Sequence, residues 1–159
     1  MRRGLWVAAL TALVAGCKAK HEATSGKEWL RKYQAAAKNN DADTCWKMIS
    51  RESQGHFSDA VKNIKETLKS GGPAAEMFRK GWQLEKDIAA YSDEELAKKM
   101  LMRKEQEESV KSTFVEEKAE GNNVLLTVDR GGARQTMVLI KEEGSLKYDF
   151  KATMEKNAP

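Results

Sequence analysis

From Trp29 onward the apolar residues of this chain recur every three or four positions, and beyond Val110 they recur every two. The first spacing is that of a helix with one buried face, the second that of a strand with one buried side. Trp29, Leu30, Tyr33, Ala36 and Ala37 predict a helix opened by Ser25-Gly26-Lys27-Glu28, a capping box in which the Ser25 hydroxyl accepts a first-turn amide and Glu28 reaches back. Asn39-Asn40-Asp41 ends it. A short second helix is expected over Asp41 to Ile49, capped by Asp41, with Ala42, Cys45, Met48 and Ile49 on one face. Phe57, Ala60, Val61, Ile64 and Leu68 form the cleanest amphipathic stripe, stopped by Gly71-Gly72. Pro73 suits a first helical position, and Met77, Gly81, Leu84, Ile88 and Tyr91, flanked by Phe78 and Trp82, predict one long helix from there. Its apolar face is broad enough to be buried on more than one side. Ser92-Asp93-Glu94-Glu95 is a second capping box, before a helix carrying Leu96, Ala97, Met100 and Leu101 with Glu94–Lys98 and Glu95–Lys99 pairs outside.

Period-two segments follow over Thr113 to Glu120, Val124 to Arg130, Ala133 to Glu142 and Leu146 to Met154. Gly121-Asn122-Asn123, Gly131-Gly132 and Glu143-Gly144 are the turns between them. In the last segment Leu146, Tyr148, Phe150, Ala152 and Met154 would face a core, while Lys147, Asp149 and Lys151 face water. Helices first and an antiparallel meander second predict an α+β domain, with N-terminal helices packed on a C-terminal four-stranded sheet.

The front of the chain follows a different logic. Met1-Arg2-Arg3 is a short basic region, Leu5 to Val14 an apolar run, and Ala15-Gly16 a small pair directly before Cys17. The apolar run is ten residues, short of the roughly twenty that span a bilayer. Val14-Ala15-Gly16-Cys17 resembles the bacterial lipobox. That resemblance implies cleavage of residues 1–16 as a signal peptide and a diacylglyceryl group on the Cys17 sulfur, with an acyl chain on its amine. The membrane is then a partner through Cys17, residues 17–25 are a polar tether, and 26–159 is the globular domain. Lys18 rather than Asp after the cysteine, read by the sorting rule of enteric bacteria, points to the outer membrane facing the periplasm.

Loss of Arg2 and Arg3 with the leader would remove two of the four excess positive charges of the precursor. The remaining charges are finely mixed, which argues against a nucleic-acid partner. One of the two cysteines goes to lipid and Cys45 is left alone, so packing and not a disulfide must stabilise the domain. Two histidines, His21 and His56, leave little material for a metal site, and neither a metal nor another cofactor is expected.

Three stretches resemble the small nuclear-transport-factor-2-like (NTF2-like) domains of bacterial lipoproteins. They are Trp29-Leu30-Arg31-Lys32-Tyr33 with Asn39-Asn40-Asp41-Ala42-Asp43, then Cys45 to Ser50, then the closing hairpin Val138 to Asp149, with Leu146 where tryptophan is usual. The likeness covers Lys27 to Ser50 and Val110 to Phe150. It implies a curved sheet wrapped by helices into a cone able to hold an apolar ligand. Fold of this kind does not determine function.

An enzyme of that family needs a polar dyad in the cone. The inward strand positions carry no general base, and Asp149 and Asp129 alternate outward, so no catalytic residue is assigned. His56, at a helix start, is either a pocket acid–base group or a surface histidine. Cys45 is either a redox thiol or a buried core residue; Asp41 and Asp43 nearby disfavour thiolate. Gly81 marks either a close helix approach or a tolerated surface glycine. Trp46, Trp82, Tyr148 and Phe150 are the candidate lining of an apolar pocket, core packing being the alternative. The reading favoured by these residues is a lipid-anchored envelope protein whose non-catalytic domain binds another envelope protein or acts structurally. A small apolar-ligand carrier is the alternative, and an isomerase- or dehydratase-like enzyme using His56 ranks last.

Overall fold

The computed structural model describes residues 23–69, 71–108 and 110–158, of which 104–108 are described by their backbone alone. The anchor residue Cys17 and the leader lie outside the described residues.

Helices occupy Gly26–Lys38 (α1), Ala42–Lys47 (α2), Arg51–Thr67 (α3), Pro73–Gly81 (α4) and Asp93–Glu108 (α5), with a single 3-10 turn at Ile88–Ala90. Strands Thr113–Glu120 (β1), Asn123–Arg130 (β2), Ala133–Glu142 (β3) and Ser145–Asp149 (β4) form an antiparallel sheet in sequential order. A last helix, Phe150–Lys156 (α6), follows without a break. The chain is α+β, with N-terminal helices packed against a C-terminal four-stranded meander.

The caps anticipated from sequence form. Ser25 Oγ accepts the Glu28 N–H at 3.2 Å, although Glu28 itself reaches back one residue further, to the Thr24 N–H and hydroxyl. Asp41 caps α2 through the Thr44 amide. Ser92 and Glu95 form a full reciprocal box at the start of α5.

The core joins both halves in one apolar cluster. Trp29 and Tyr33 are fully buried and stack at 4.7 Å, and Tyr148 tilts against Trp29 at 5.7 Å. Register places Val124 and Tyr148 on either side of Leu139, and Leu126 opposite Met137, so these side chains share the face on which α1 lies. Gly26 permits the close approach: a Cβ there would meet Glu117 Oε2 at 3.0 Å and Leu126 Cδ1 at 3.3 Å. Glu117 instead accepts the Lys27 N–H at 2.9 Å, which ties the helix start to the edge strand. Cys45 has no exposed surface and is a core residue.

Both edges beside β4 are closed by main chain or by side chains that imitate it. Residues 48–50 lie beside β4: the Tyr148 N–H donates to the Met48 carbonyl at 2.9 Å, and the Ser50 N–H to the Tyr148 carbonyl at 2.8 Å. Where β4 stops, α6 continues along β3. Thr153 Oγ1 accepts the Val138 N–H at 2.8 Å, and the Asn157 amide both accepts from the Thr136 N–H and donates to its carbonyl.

Five expectations are corrected. The last strand ends at Asp149, not Met154, because the Asp149 carboxylate accepts the Ala152 N–H and starts α6. Asp149 is consequently buried and not solvated. The helix from Pro73 does not reach Tyr91: it closes at Gly81 in a Schellman motif, with Gln83 at φ 52° and bonds from Leu84 N to Arg79 O and from Gln83 N to Lys80 O. No residue of α4 is buried, whereas burial on more than one side was expected. The second helix is also shorter than Asp41 to Ile49, since Ile49 is taken into the bridge beside β4.

Candidate functional site

Three of the four aromatic residues singled out as pocket lining come together, but in packed core. Trp46, Tyr148 and Phe150 are 8%, 4% and 5% exposed. Phe57 links them, meeting Trp46 edge-on at 6.4 Å and Phe150 at 5.1 Å, while Tyr148 and Phe150 lie 4.2 Å apart. Trp82 sits elsewhere, at the end of α4, stacked on Phe78 at 5.0 Å with the rings 9° from parallel. His56 is exposed, with its ring 6.3 Å from that of Phe57. Among the described residues no group of three or more histidine, cysteine or acidic side chains is placed to hold a metal.

Trp82 opens onto a cleft of about 670 Å³ between the α1–α2 turn, the end of α4 and one face of α5. Two helix ends form its walls. The α1 end closes with the same Schellman geometry as α4: Asn40 has φ 56°, Asp41 N bonds Ala36 O, and Asn40 N bonds Ala37 O. Opposite are Gly81, Trp82 and Gln83. Ala42 and the buried Met102 supply apolar surface between them.

The link from α4 to α5 is held by a few contacts. Leu84 is buried, the Tyr91 hydroxyl accepts the Glu85 N–H at 3.1 Å, and the Tyr91 carbonyl accepts from Lys65 Nζ at 2.6 Å. Lys65 also pairs with Asp93 at 2.6 Å, so α3 fixes the start of α5. Tyr91 is thereby buried, and it lines the cleft.

Cations crowd this region. Arg103 lies 5.0 Å over the Trp82 ring and donates to the Gly81 carbonyl at 2.6 Å. Lys86 and Lys99 stand 4.4 Å and 5.6 Å over the Tyr91 ring. Such contacts contribute about 0.5–1 kcal/mol each at exposed positions. Lys98 is committed to Asp43 at 2.7 Å and Glu94 at 2.6 Å, and these carboxylates, Asp43 first, raise its ammonium above its usual range. The Glu95 carboxyl is lowered by the Ser92 N–H and hydroxyl and then by Lys86. Lys99 and Arg103, one helical turn apart on α5, have no carboxylate within 4.0 Å among the residues whose side chains are described.

The sequence pattern pairs Glu95 with Lys99; the structure turns Lys99 to the Tyr91 ring and Glu95 back to Ser92. Tyr91, Lys99 and Arg103 were not among the candidate site residues. The four-residue spacing of Lys99 and Arg103 on a helix whose start was legible is the signal that could have found them. Gly81 has nothing within 4 Å of an added Cβ, so it is a tolerated surface glycine whose carbonyl, not its lack of side chain, serves the cleft.

Compared with models of known protein families, with curated proteins and with solved structures, the chain matches none.

Proposed function

We propose that this chain is a lipid-anchored protein of the bacterial cell envelope whose α+β domain binds and does not catalyse. The observation that carries the proposal is the run Val14-Ala15-Gly16-Cys17 behind a basic start and an apolar stretch, a few residues ahead of the Ser25 cap that opens α1. Two acyl chains hold a protein at a bilayer where one does not, because each buried methylene contributes about 0.8 kcal/mol. The non-catalytic half of the reading is supported by what the polar groups near the sheet do. Asp149 caps α6, Asp129 accepts the Gly132 N–H in the β2–β3 turn, and His56 faces solvent. The likeness to NTF2-like domains belongs to the same proposal. Its support is the order of helices before a four-stranded meander.

The carrier reading has its own support, at a different place from the one the sequence suggested. Trp46, Tyr148 and Phe150 fill the core, and the open cleft beside Trp82 is of ligand size.

Metabolic labelling with palmitate tests the anchor. Wild type is expected to take up label and to enter the detergent phase, and Cys17→Ala to do neither. Equal labelling of the two would remove the tether from the proposal.

A further inference from the structure

We infer that the cleft between the α1–α2 turn, α4 and α5 binds a small organic carboxylate, with the anionic end on Lys99 and Arg103 and an apolar body against Trp82, Ala42 and Met102. This rests on the reading of the domain as a binding module and names the chemistry of what it binds.

Three observations converge on that ligand class. The first is the charge left over. Every other charged group lining the cleft has a partner: Lys98 has Asp43 and Glu94, and Glu95 has Ser92 and Lys86. Among the residues whose side chains are described, Lys99 and Arg103 have aromatic rings instead, and like charges one turn apart on a helix repel. An oxyanion between them relieves that repulsion and gains charge-assisted hydrogen bonds. Arg103 commits one nitrogen to the Gly81 carbonyl, and a guanidinium carries five donors.

The second observation is the surface beside the cations. Trp82 is half-buried, with Phe78 stacked on its ring and the Arg103 guanidinium over it, so its edge, with Ala42 and Met102, is the cleft's apolar surface. An inorganic ion would leave this surface unused, whereas the apolar body of an organic anion would cover it.

The third observation sets the charge of the ligand. Two helix C-termini, those of α1 and α4, bring their partial negative ends to the cleft, whose two carboxylates, Asp43 and Glu95, are paired with Lys98 and Lys86. The helix ends oppose a dianion more strongly than a monoanion, which favours a carboxylate over a phosphate monoester. The volume, about 670 Å³, suits a small ligand.

The test uses the full chain in detergent micelles, with benzoate as probe and benzamide as its uncharged isostere. The indole N–H resonances of Trp29, Trp46 and Trp82 are followed by NMR. Benzoate is expected to shift the Trp82 resonance saturably and leave those of the two core tryptophans in place, with benzamide weaker by about tenfold or more. Lys99→Gln with Arg103→Gln should cut benzoate affinity by about tenfold while the Trp29 and Trp46 resonances hold their positions. Phenyl phosphate should bind more weakly than benzoate. No saturable shift at Trp82, equal affinity for benzoate and benzamide, or tighter binding of phenyl phosphate would each overturn the inference. Benzoate binding by Cys17→Ala separates the two questions: it is expected whether or not the tether is real, and palmitate labelling is unaffected by the state of the cleft.

Discussion

Ser53 Oγ accepts the Phe150 N–H at 2.9 Å, joining the first turn of α3 to the first residue of α6 across most of the sequence. The same oxygen donates to the Tyr148 carbonyl at 3.3 Å and accepts from the Ser50 hydroxyl at 2.9 Å, so its one proton and two lone pairs are all engaged. Both serines are fully buried. Because Ser50 and Phe150 are the entry points of two helices, this hydroxyl pair fixes how α3 and α6 meet the end of the sheet.

Ser53→Ala leaves the Phe150 N–H buried without that acceptor. A loss of about 1–3 kcal/mol is expected, the penalty of an unsatisfied buried group. Urea unfolding reads it as a lower midpoint with an unchanged slope. A midpoint equal to wild type would mean that the hydroxyl pair does not hold the junction.

Asn157 stands in for a strand residue beside Thr136. Its amide makes both main-chain bonds that a neighbouring strand would make, at 3.2 Å and 2.7 Å. Unpaired strand edges are templates for association. Asn157→Ala with Thr153→Val should therefore do two things. Stability falls by about 0.5–1.5 kcal/mol for each lost bond. Hydrogen exchange at the Thr136 and Val138 amides also accelerates, and sedimentation velocity shows concentration-dependent self-association absent from wild type. Unchanged exchange at both amides would contradict the edge-covering role of α6.

Glu28 gives the acid limb of stability a named contributor. Its carboxyl is lowered from 4.5 to about 2, first by Lys32 and then by the Thr24 N–H and hydroxyl. A depressed carboxyl stabilises the fold while ionised, so its contribution is full above pH 4.5 and is lost as pH falls toward 2. The group is solvent-accessible, and added salt weakens the effect. In low salt the melting temperature of wild type should fall more steeply through this window than that of Glu28→Gln. Added salt should narrow the difference. Parallel curves would place the acid sensitivity elsewhere.

Two glycines are expected to respond in opposite directions. At Gly26 even a Cβ comes within 3.4 Å of Glu117, Leu126 and Val124, so Gly26→Val pushes α1 off the sheet and costs about 1–3 kcal/mol by overpacking. At Gly81 the space is open and φ is ordinary, so Gly81→Ala stiffens α4 by about 0.4–1 kcal/mol of local helix stability. Chemical denaturation measures the first, and amide exchange within α4 measures the second.

The strands were legible to the residue where period-two alternation ran between glycine turns, as in Thr113–Glu120 and Ala133–Glu142. Alternation misled at the chain's end because Phe150, Thr153 and Asn157 also fall at helical spacing, and the deciding bond is the Asp149 cap on Ala152. The end of α4 was hidden for a different reason. Its left-handed closing residue is Gln83, whereas Asn40, which plays the same part for α1, belongs to a residue type that adopts this conformation readily. Tertiary choices were the least readable. Nothing local in Lys99 says that it will leave Glu95 for a tyrosine ring brought in by Lys65 and Leu84.

Arg103 is both a wall of the cleft and the clasp on the Gly81 carbonyl of a helix that buries no residue of its own. The reach of that outrigger and the grip of the hollow beside it are therefore one thermodynamic quantity. Whatever frees the arm dilutes the competent arrangement and lowers apparent affinity in proportion, so a change as remote as the Gly71-Gly72 joint would be felt by an occupant it never touches.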